Sequence, residues 1–256
     1  MAKKFYAIKE GFDFVQNKKV ENMIVDTWDE CLKYVKGAKG AKYKSFKSLS
    51  EAKEYIEGGE NLLKKDAENY PKDIPHFYVD GSYNIEIQKY AYALVMVENG
   101  VVKYIENGGA ENNSKKDVRQ IAGELKASIR SLKYAAEHNI KNILIIHDYV
   151  GVCYHATGVW KRKEESSEIY YNEFNKIVKD NDINVTFVKV DSHTGDLFNE
   201  IVDEFAKYAC GVAIKGETKK YLKSGTIIVE SENLKEKFNE IIDETNIEKI
   251  VVHKND

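Results

Sequence analysis

The chain has 256 residues, 43% apolar and 11% aromatic, so it can bury one large core or two smaller ones and is not a disordered tail. Its net charge is −3, from 39 Lys+Arg against 42 Asp+Glu, so any affinity for nucleic acid must come from local clustering. Cys31, Cys153 and Cys210 stand far apart, with no CxxC or Cys/His cluster, which argues against a disulfide framework or a zinc site.

The N-terminus has no apolar core of signal-peptide length, and no apolar run reaches the ~20 residues of a membrane span. The expectation is a cytoplasmic protein with reduced thiols and no membrane partner. Residues 1–58 read as a small module. Phe5–Ile8 is a short strand, Asp26 or Thr27 opens a helix from Trp28 through Val35, and Ser50 opens another to Ile56. Between these helices run Lys33, Lys36, Lys39, Lys42, Lys44 and Lys47, with Tyr43 and Phe46 interleaved and no acid between Glu30 and Glu51. Such a stripe grips a phosphate backbone while offering flat rings to sugars or bases; it is equally a solvated lysine face over two core aromatics.

Residues 59–73 are charged and carry Gly59 and Pro71, so they read as a linker with a helical stretch at Leu62–Glu68. Strands follow at Phe77–Val79, Lys89–Glu98 and Val101–Glu106, the last two joined by Asn99-Gly100, a strong hairpin signal. Val118, Ile121, Leu125, Ile129, Leu132 and Ala136 then recur at helical spacing, and Ile140–Ile146 is another buried strand. Strand, helix, strand implies parallel pairing inside a mixed sheet. A helix near Glu168–Val178, a strand at Val185–Val190 and a helix at Leu197–Ala209 complete a domain over 74–214. Residues 215–256 read as strand, helix and strand, too short to bury a core alone, so they pack on the main domain or on a partner.

Two apolar runs end in carboxylates, Phe77-Tyr78-Val79-Asp80-Gly81-Ser82 and Ile143-Leu144-Ile145-Ile146-His147-Asp148. Two buried strands ending this way could hold both acids in one place, where like charges raise each other's pKa and a divalent cation relieves the repulsion. Asp-Gly-Ser alone also makes an ordinary turn. Glu124 stands at the edge of the long helix's apolar stripe, Asp203 lies off the core face of the last helix, and His193 sits in the polar loop before it.

These residues carry two resemblances. Phe5-Tyr6-Ala7-Ile8, Thr27-Trp28-Asp29-Glu30-Cys31 and Gly37 through Phe46 resemble the hybrid-binding domain found at the N-terminus of many ribonucleases H and in caulimovirus viroplasmin. The likeness implies that Trp28 and Tyr43 pack on a DNA strand while Lys42 and Lys44 hold phosphates. Ser45 stands where a second lysine is common, and Gly11–Val25 is longer than the family's turn. The order Asp80, Glu124, Asp148, Asp203, with Ala122-Gly123-Glu124-Leu125, Ser192-His193-Thr194-Gly195-Asp196 and Asn199-Glu200-Ile201-Val202-Asp203 around them, resembles the type 1 ribonuclease H catalytic domain.

That resemblance implies an α/β fold, a ribonuclease H-like mixed five-stranded sheet with flanking helices, beside a small α+β hybrid-binding domain. It implies an endonuclease that cuts the RNA strand of RNA–DNA hybrids to 5′-phosphate and 3′-hydroxyl ends with two Mg²⁺ ions, Mn²⁺ being a substitute. Asp80, Glu124, Asp148 and Asp203 would hold the metal, with His193 moving protons. Gly81, Ser82, Arg119 and Gln120 would meet the minor groove, and Trp160 and Lys161 would serve the DNA strand. Val150 replaces a polar side chain common in the family. Two other readings stay open: a non-catalytic hybrid or double-stranded RNA-binding protein, and a protein-interaction module built on residues 215–256. The oligomeric state is not legible.

Overall fold

The computed structural model describes residues 4–46, 49, 52, 55–56, 63–67, 69–110, 120–160, 165–191 and 195–254. The chain divides into two compact units, Met1–Leu62 and Leu63–Asp256.

In the first unit, β1 (Phe5–Asp13) pairs antiparallel with β2 (Lys18–Val25) on one side and β3 (Lys42–Phe46) on the other. The long Gly11–Val25 segment is therefore a hairpin that extends β1 well past Ile8. Its turn is fixed by Asp13, whose Oδ1 accepts from the backbone N–H of Val15 and Gln16 at 2.9 Å each. Helix α1 (Trp28–Val35) starts where Thr27 Oγ1 accepts from Glu30 N at 3.2 Å, so Thr27 rather than Asp26 is the cap. Its apolar face, Cys31 and Val35, packs on Ile8 and Val25, while Ala7 faces Ala52 and Ile56 on the other side of the sheet. Of the helix expected at Ser50–Ile56, Ala52, Tyr55 and Ile56 are helical and the rest lies outside the described residues.

Among the described residues the second unit has eight strands: β4 (Leu63–Lys64), β5 (His76–Asn84), β6 (Lys89–Glu98), β7 (Val101–Ala110), β8 (Asn142–His147), β9 (Asn184–Lys189), β10 (Ile227–Val229) and β11 (Ile250–Val252). Their order is β11-β10-β7-β6-β5-β8-β9-β4. The expected five form the centre, antiparallel from β7 to β5 and parallel from β5 to β9. Asn99 and Gly100 join β6 to β7 with φ of 51° and 77°, the left-handed pair a tight hairpin needs.

Strand alternation sorts the side chains into two layers. Phe77, Val79, Leu94, Met96, Ile143 and Ile145 pack against Leu125, Ile129 and Leu132 of α2 (Gln120–Glu137) and Tyr170 and Phe174 of α4 (Glu165–Asn181). Tyr78, Val95, Leu144 and Ile146 face Ile201, Val202, Phe205 and Ala206 of α5 (Leu197–Ala209). A short α3 (Gly151–Ala156) follows β8.

Three strands lie beyond the expected five. Leu63–Lys64, expected to begin a helical linker stretch, instead pairs parallel with Val188 and Lys189 of β9 and runs into a 3-10 turn at Lys65–Ala67. Residues 215–254 settle on the main sheet: β10 pairs parallel with both β7 and β11. Leu222, Ile227, Val229 and Phe238 complete the α5-side core. Buried Glu204 on α5 accepts from Glu217 N (2.6 Å) and Thr218 N (3.3 Å), capping α6 (Glu217–Tyr221); α7 (Glu232–Lys237) follows β10. Among the described residues no helix is long and apolar enough to cross a membrane.

Candidate active site

The register of two parallel strands places the first two acids. Tyr78 of β5 stands opposite Ile146 of β8, so two residues further along, Asp80 and Asp148 come level. The third arrives on a helix. Gly123 lets α2 approach so closely that a Cβ there would lie 2.1 Å from the Ala91 carbonyl oxygen and 2.7 Å from Gly81 Cα. The next residue is Glu124. One carboxylate oxygen from each of Asp80, Glu124 and Asp148 lies within 4.8 Å of the others.

The cluster is held against its own charge. Asp80 and Glu124 are both buried. Burial pushes the Asp80 carboxyl well above its ordinary range, and Asp148 and Asp203 push it further; only the Gly81 N–H (2.6 Å to Oδ1) and Lys207 oppose this. Glu124 is raised by burial and then by Asp80 and Asp148, against one hydrogen bond from the Tyr149 backbone N–H. Its Oε2 is buried without a hydrogen-bond partner. Repelling carboxylates plus an unpartnered buried oxygen are poorly stable as metal-free anions and fit a hard divalent cation, which takes oxygen ligands.

Asp203 stands apart from the three. It makes an ion pair with Lys207 one turn along α5, although its charge still reaches Asp80. The i,i+4 spacing made that pairing legible in the sequence. His193 lies outside the described residues. Behind the site, His147 is fully buried and its Nδ1 donates to the Tyr149 carbonyl at 2.9 Å. Burial lowers its pKa to about 4, so the ring is neutral and holds the Asp148-Tyr149 turn.

Gly81 and Ser82 follow Asp80 on β5. Arg119 and Lys161 lie outside the described residues, as does the side chain of Gln120. Trp160 packs edge-on against Tyr154 and His155, both at 5.3 Å, and against Tyr149 at 6.2 Å, so its ring is engaged within the unit. In the first unit, Tyr6, Trp28 and Tyr43 form a continuous aromatic strip, with centroids 5.5 and 5.7 Å apart. Trp28 and Tyr43 remain 41% and 44% exposed. The lysines do not share that surface evenly. Tyr43 stands opposite Ile8 on the α1 side, whereas Lys44 stands opposite Ala7 and turns to the other side, 5.7 Å from the Phe46 ring. Lys42 is paired with Glu10 at 2.5 Å.

A family model for the ribonuclease H1 N-terminal domain matches residues 4–56, and the ribonuclease H family model matches residues 73–211. No curated protein is matched by the sequence. Among solved structures, ribonuclease H1 from the halophilic archaeon Halobacterium salinarum NRC-1 is 19% identical, covering 54% of this chain and 97% of its own, with a TM-score of 0.45. LC11-RNase H1, isolated from compost by a metagenomic approach, was solved in complex with an RNA/DNA hybrid. It is 16% identical over 54% of this chain and 96% of its own, also at 0.45. The N-terminal ribonuclease H domain of a Mycobacterium tuberculosis protein is 14% identical over 53% and 98%, at 0.44. With the ribonuclease H model alone matching more than half of its residues, the chain belongs to the ribonuclease H family of enzymes.

Proposed function

We propose that the chain hydrolyses the RNA strand of RNA–DNA hybrids endonucleolytically, giving 5′-phosphate and 3′-hydroxyl ends. The observation that carries this is the cluster of buried Asp80 and Glu124 with half-buried Asp148, their carboxylate oxygens within 4.8 Å, and Glu124 Oε2 unpartnered. Two Mg²⁺ ions, bound there with Mn²⁺ as a substitute, would supply an activated water and a stabilised leaving oxygen. Asp80, which interacts with each of the other acids, would serve both ions; Glu124 and Asp148 would support the leaving-group side, and Asp148 and Asp203 the nucleophile side. Asp203 pairs with Lys207 through Oδ2, which leaves Oδ1 to serve the metal and Lys207 as a nearby cation for a phosphate. His193 moves protons and aids product release.

The remaining residues serve recognition. The backbone at Gly81 and Ser82, with Arg119 and Gln120, meets the 2′-hydroxyls that distinguish RNA from DNA. Trp28 and Tyr43 offer exposed rings for stacking, Lys42 and Lys44 hold phosphates, and Trp160 and Lys161 serve the DNA strand. In this reading 1–58 is the hybrid-binding module, 59–73 the connection, 74–214 the catalytic domain and 215–256 an extension of its sheet. The module raises affinity by keeping the catalytic domain at high local concentration. Three buried free cysteines fit a reducing compartment, the cytoplasm.

The test is cleavage of an end-labelled hybrid beside single-stranded RNA, duplex RNA and duplex DNA, each with Mg²⁺, Mn²⁺ or EDTA. Hybrid-selective cutting that needs metal is expected. Binding without cutting in every metal would make the chain a binder, and preferential cutting of duplex RNA would change the substrate.

A further inference from the structure

Lys65 is a cation that the proposed chemistry leaves unused. It sits on the turn after β4, and its side chain is only 18% exposed. Its ammonium donates to Tyr78 Oη at 2.5 Å and pairs with Asp196 Oδ2. Both partners belong to elements that carry a site acid. Tyr78 precedes Asp80 by two residues on β5. Asp196 caps α5, its Oδ1 accepting from Asn199 N at 3.1 Å, and α5 carries Asp203. The Tyr78 ring also packs on Phe198 of α5, with centroids 5.5 Å apart.

Burying a lysine costs solvation, and burial lowers the Lys65 pKa against the opposing pull of Asp196. A buried ion pair is weak evidence for stability; its best-attested use is to fix register between elements. Here the elements joined are the strand of Asp80 and the helix of Asp203. The backbone just before Lys65 is itself held, because β4 pairs with β9. Lys65 itself lies outside residues 73–211, the segment matched by the ribonuclease H model, while both of its partners lie within it.

We propose that Lys65 is a positioning residue of the metal site. It locks the N-terminus of α5 to β5 and so sets how far Asp203 stands from the Asp80–Glu124–Asp148 cluster. The catalytic unit thus begins at Leu63, and the connecting segment is part of it. This rests on the reading of Asp203 as a metal ligand.

The experiment compares the full chain with Lys65→Met, Lys65→Arg, Tyr78→Phe and Leu63→Ala. Mg²⁺ binding is measured by calorimetry without nucleic acid, alongside kcat and KM on a hybrid. Lys65→Met should weaken Mg²⁺ binding about tenfold and lower kcat by a similar factor, with KM nearly unchanged. Lys65→Arg should recover most of both, and Tyr78→Phe should show a smaller loss in the same direction. Leu63→Ala, which trims a core contact while leaving the β4–β9 backbone pairing and the clamp side chains in place, should lower the melting temperature only. Wild-type Mg²⁺ binding in folded Lys65→Met, or an equal loss in Leu63→Ala, would overturn the proposal. If Lys65→Met does not fold, Tyr78→Phe decides by the same comparison. A wild type that binds Mg²⁺ yet leaves hybrids intact would refute the proposed function, while the calorimetry still decides the role of Lys65.

Discussion

Gly123 and Gly81 face each other across the contact of α2 with β5, so close that a Cβ at 123 would lie 2.7 Å from Gly81 Cα and 2.1 Å from the Ala91 oxygen. Both obstacles are backbone, so neither can swing aside. The sequence neighbours of these glycines are Glu124 and Asp80. Gly123→Ala must therefore lift the start of α2 from the sheet and carry Glu124 away from Asp80. A stability loss of about 1–3 kcal/mol from overpacking is expected, with a drop in Mg²⁺ affinity that stability alone does not explain. Calorimetry on the folded variant checks this; unchanged Mg²⁺ binding would count against the close approach as the device that positions Glu124.

Asp80 and Glu124 both have raised pKa values in the metal-free fold. For an acid whose folded pKa lies above its unfolded one, the folded state binds protons more tightly. Its stabilisation is full below the unfolded pKa and is lost as pH rises through the raised folded value. In EDTA, Asp80→Asn should thus be more stable than the wild type at pH 8, and the gap should shrink towards pH 4. Mg²⁺ should stabilise the wild type and leave the variant nearly unmoved. Thermal melts across that range are the check, and a gap independent of pH would show that the acids are not in conflict.

Trp28 and Tyr43 are in ring contact yet exposed, so either can be truncated without opening the core beneath α1. Trp28→Ala should cost about 1–3 kcal/mol of hybrid affinity, roughly tenfold or more in Kd, while Mg²⁺ binding stays unchanged. Fluorescence anisotropy with a labelled hybrid would reveal it; undiminished affinity would remove the aromatic strip from the interface.

Glu204 joins α5 to the C-terminal extension through two backbone N–H groups, and its side chain is fully buried. Glu204→Ala should leave those donors unpaired and destabilise the unit by roughly 1–3 kcal/mol. Truncation before residue 215 should be worse, because it uncovers the core that Leu222, Val229 and Phe238 complete. A truncated chain with the melting temperature of the whole would show that the extension is a separable module.

The central sheet and its acids were legible because their signals are local. Asn99-Gly100 announces a hairpin, Leu125, Ile129 and Leu132 a buried helix face, and Asp80 and Asp148 each end an apolar run. What escaped depends on pairing over distance. Leu63–Lys64 has no strand pattern of its own and becomes a strand only because the edge of β9 offers it bonds. Residues 215–256 spelled out short elements, but nothing local said whether the edge of β7 or a partner received them. At the site, the division of Asp203 from the other three acids follows from Lys207 one turn away, a spacing visible in the sequence whose consequence depends on where α5 lies.

The measurement that tests the account most directly is the rate at which wild type and Asp80→Asn cut the RNA strand of a hybrid in Mg²⁺. Asp80 interacts with each of the other acids, so its loss should lower the rate by about a thousandfold or more, while His193→Ala keeps a measurable rate. An Asp80→Asn enzyme within about tenfold of wild type would contradict the claim that hydrolysis takes place at this cluster.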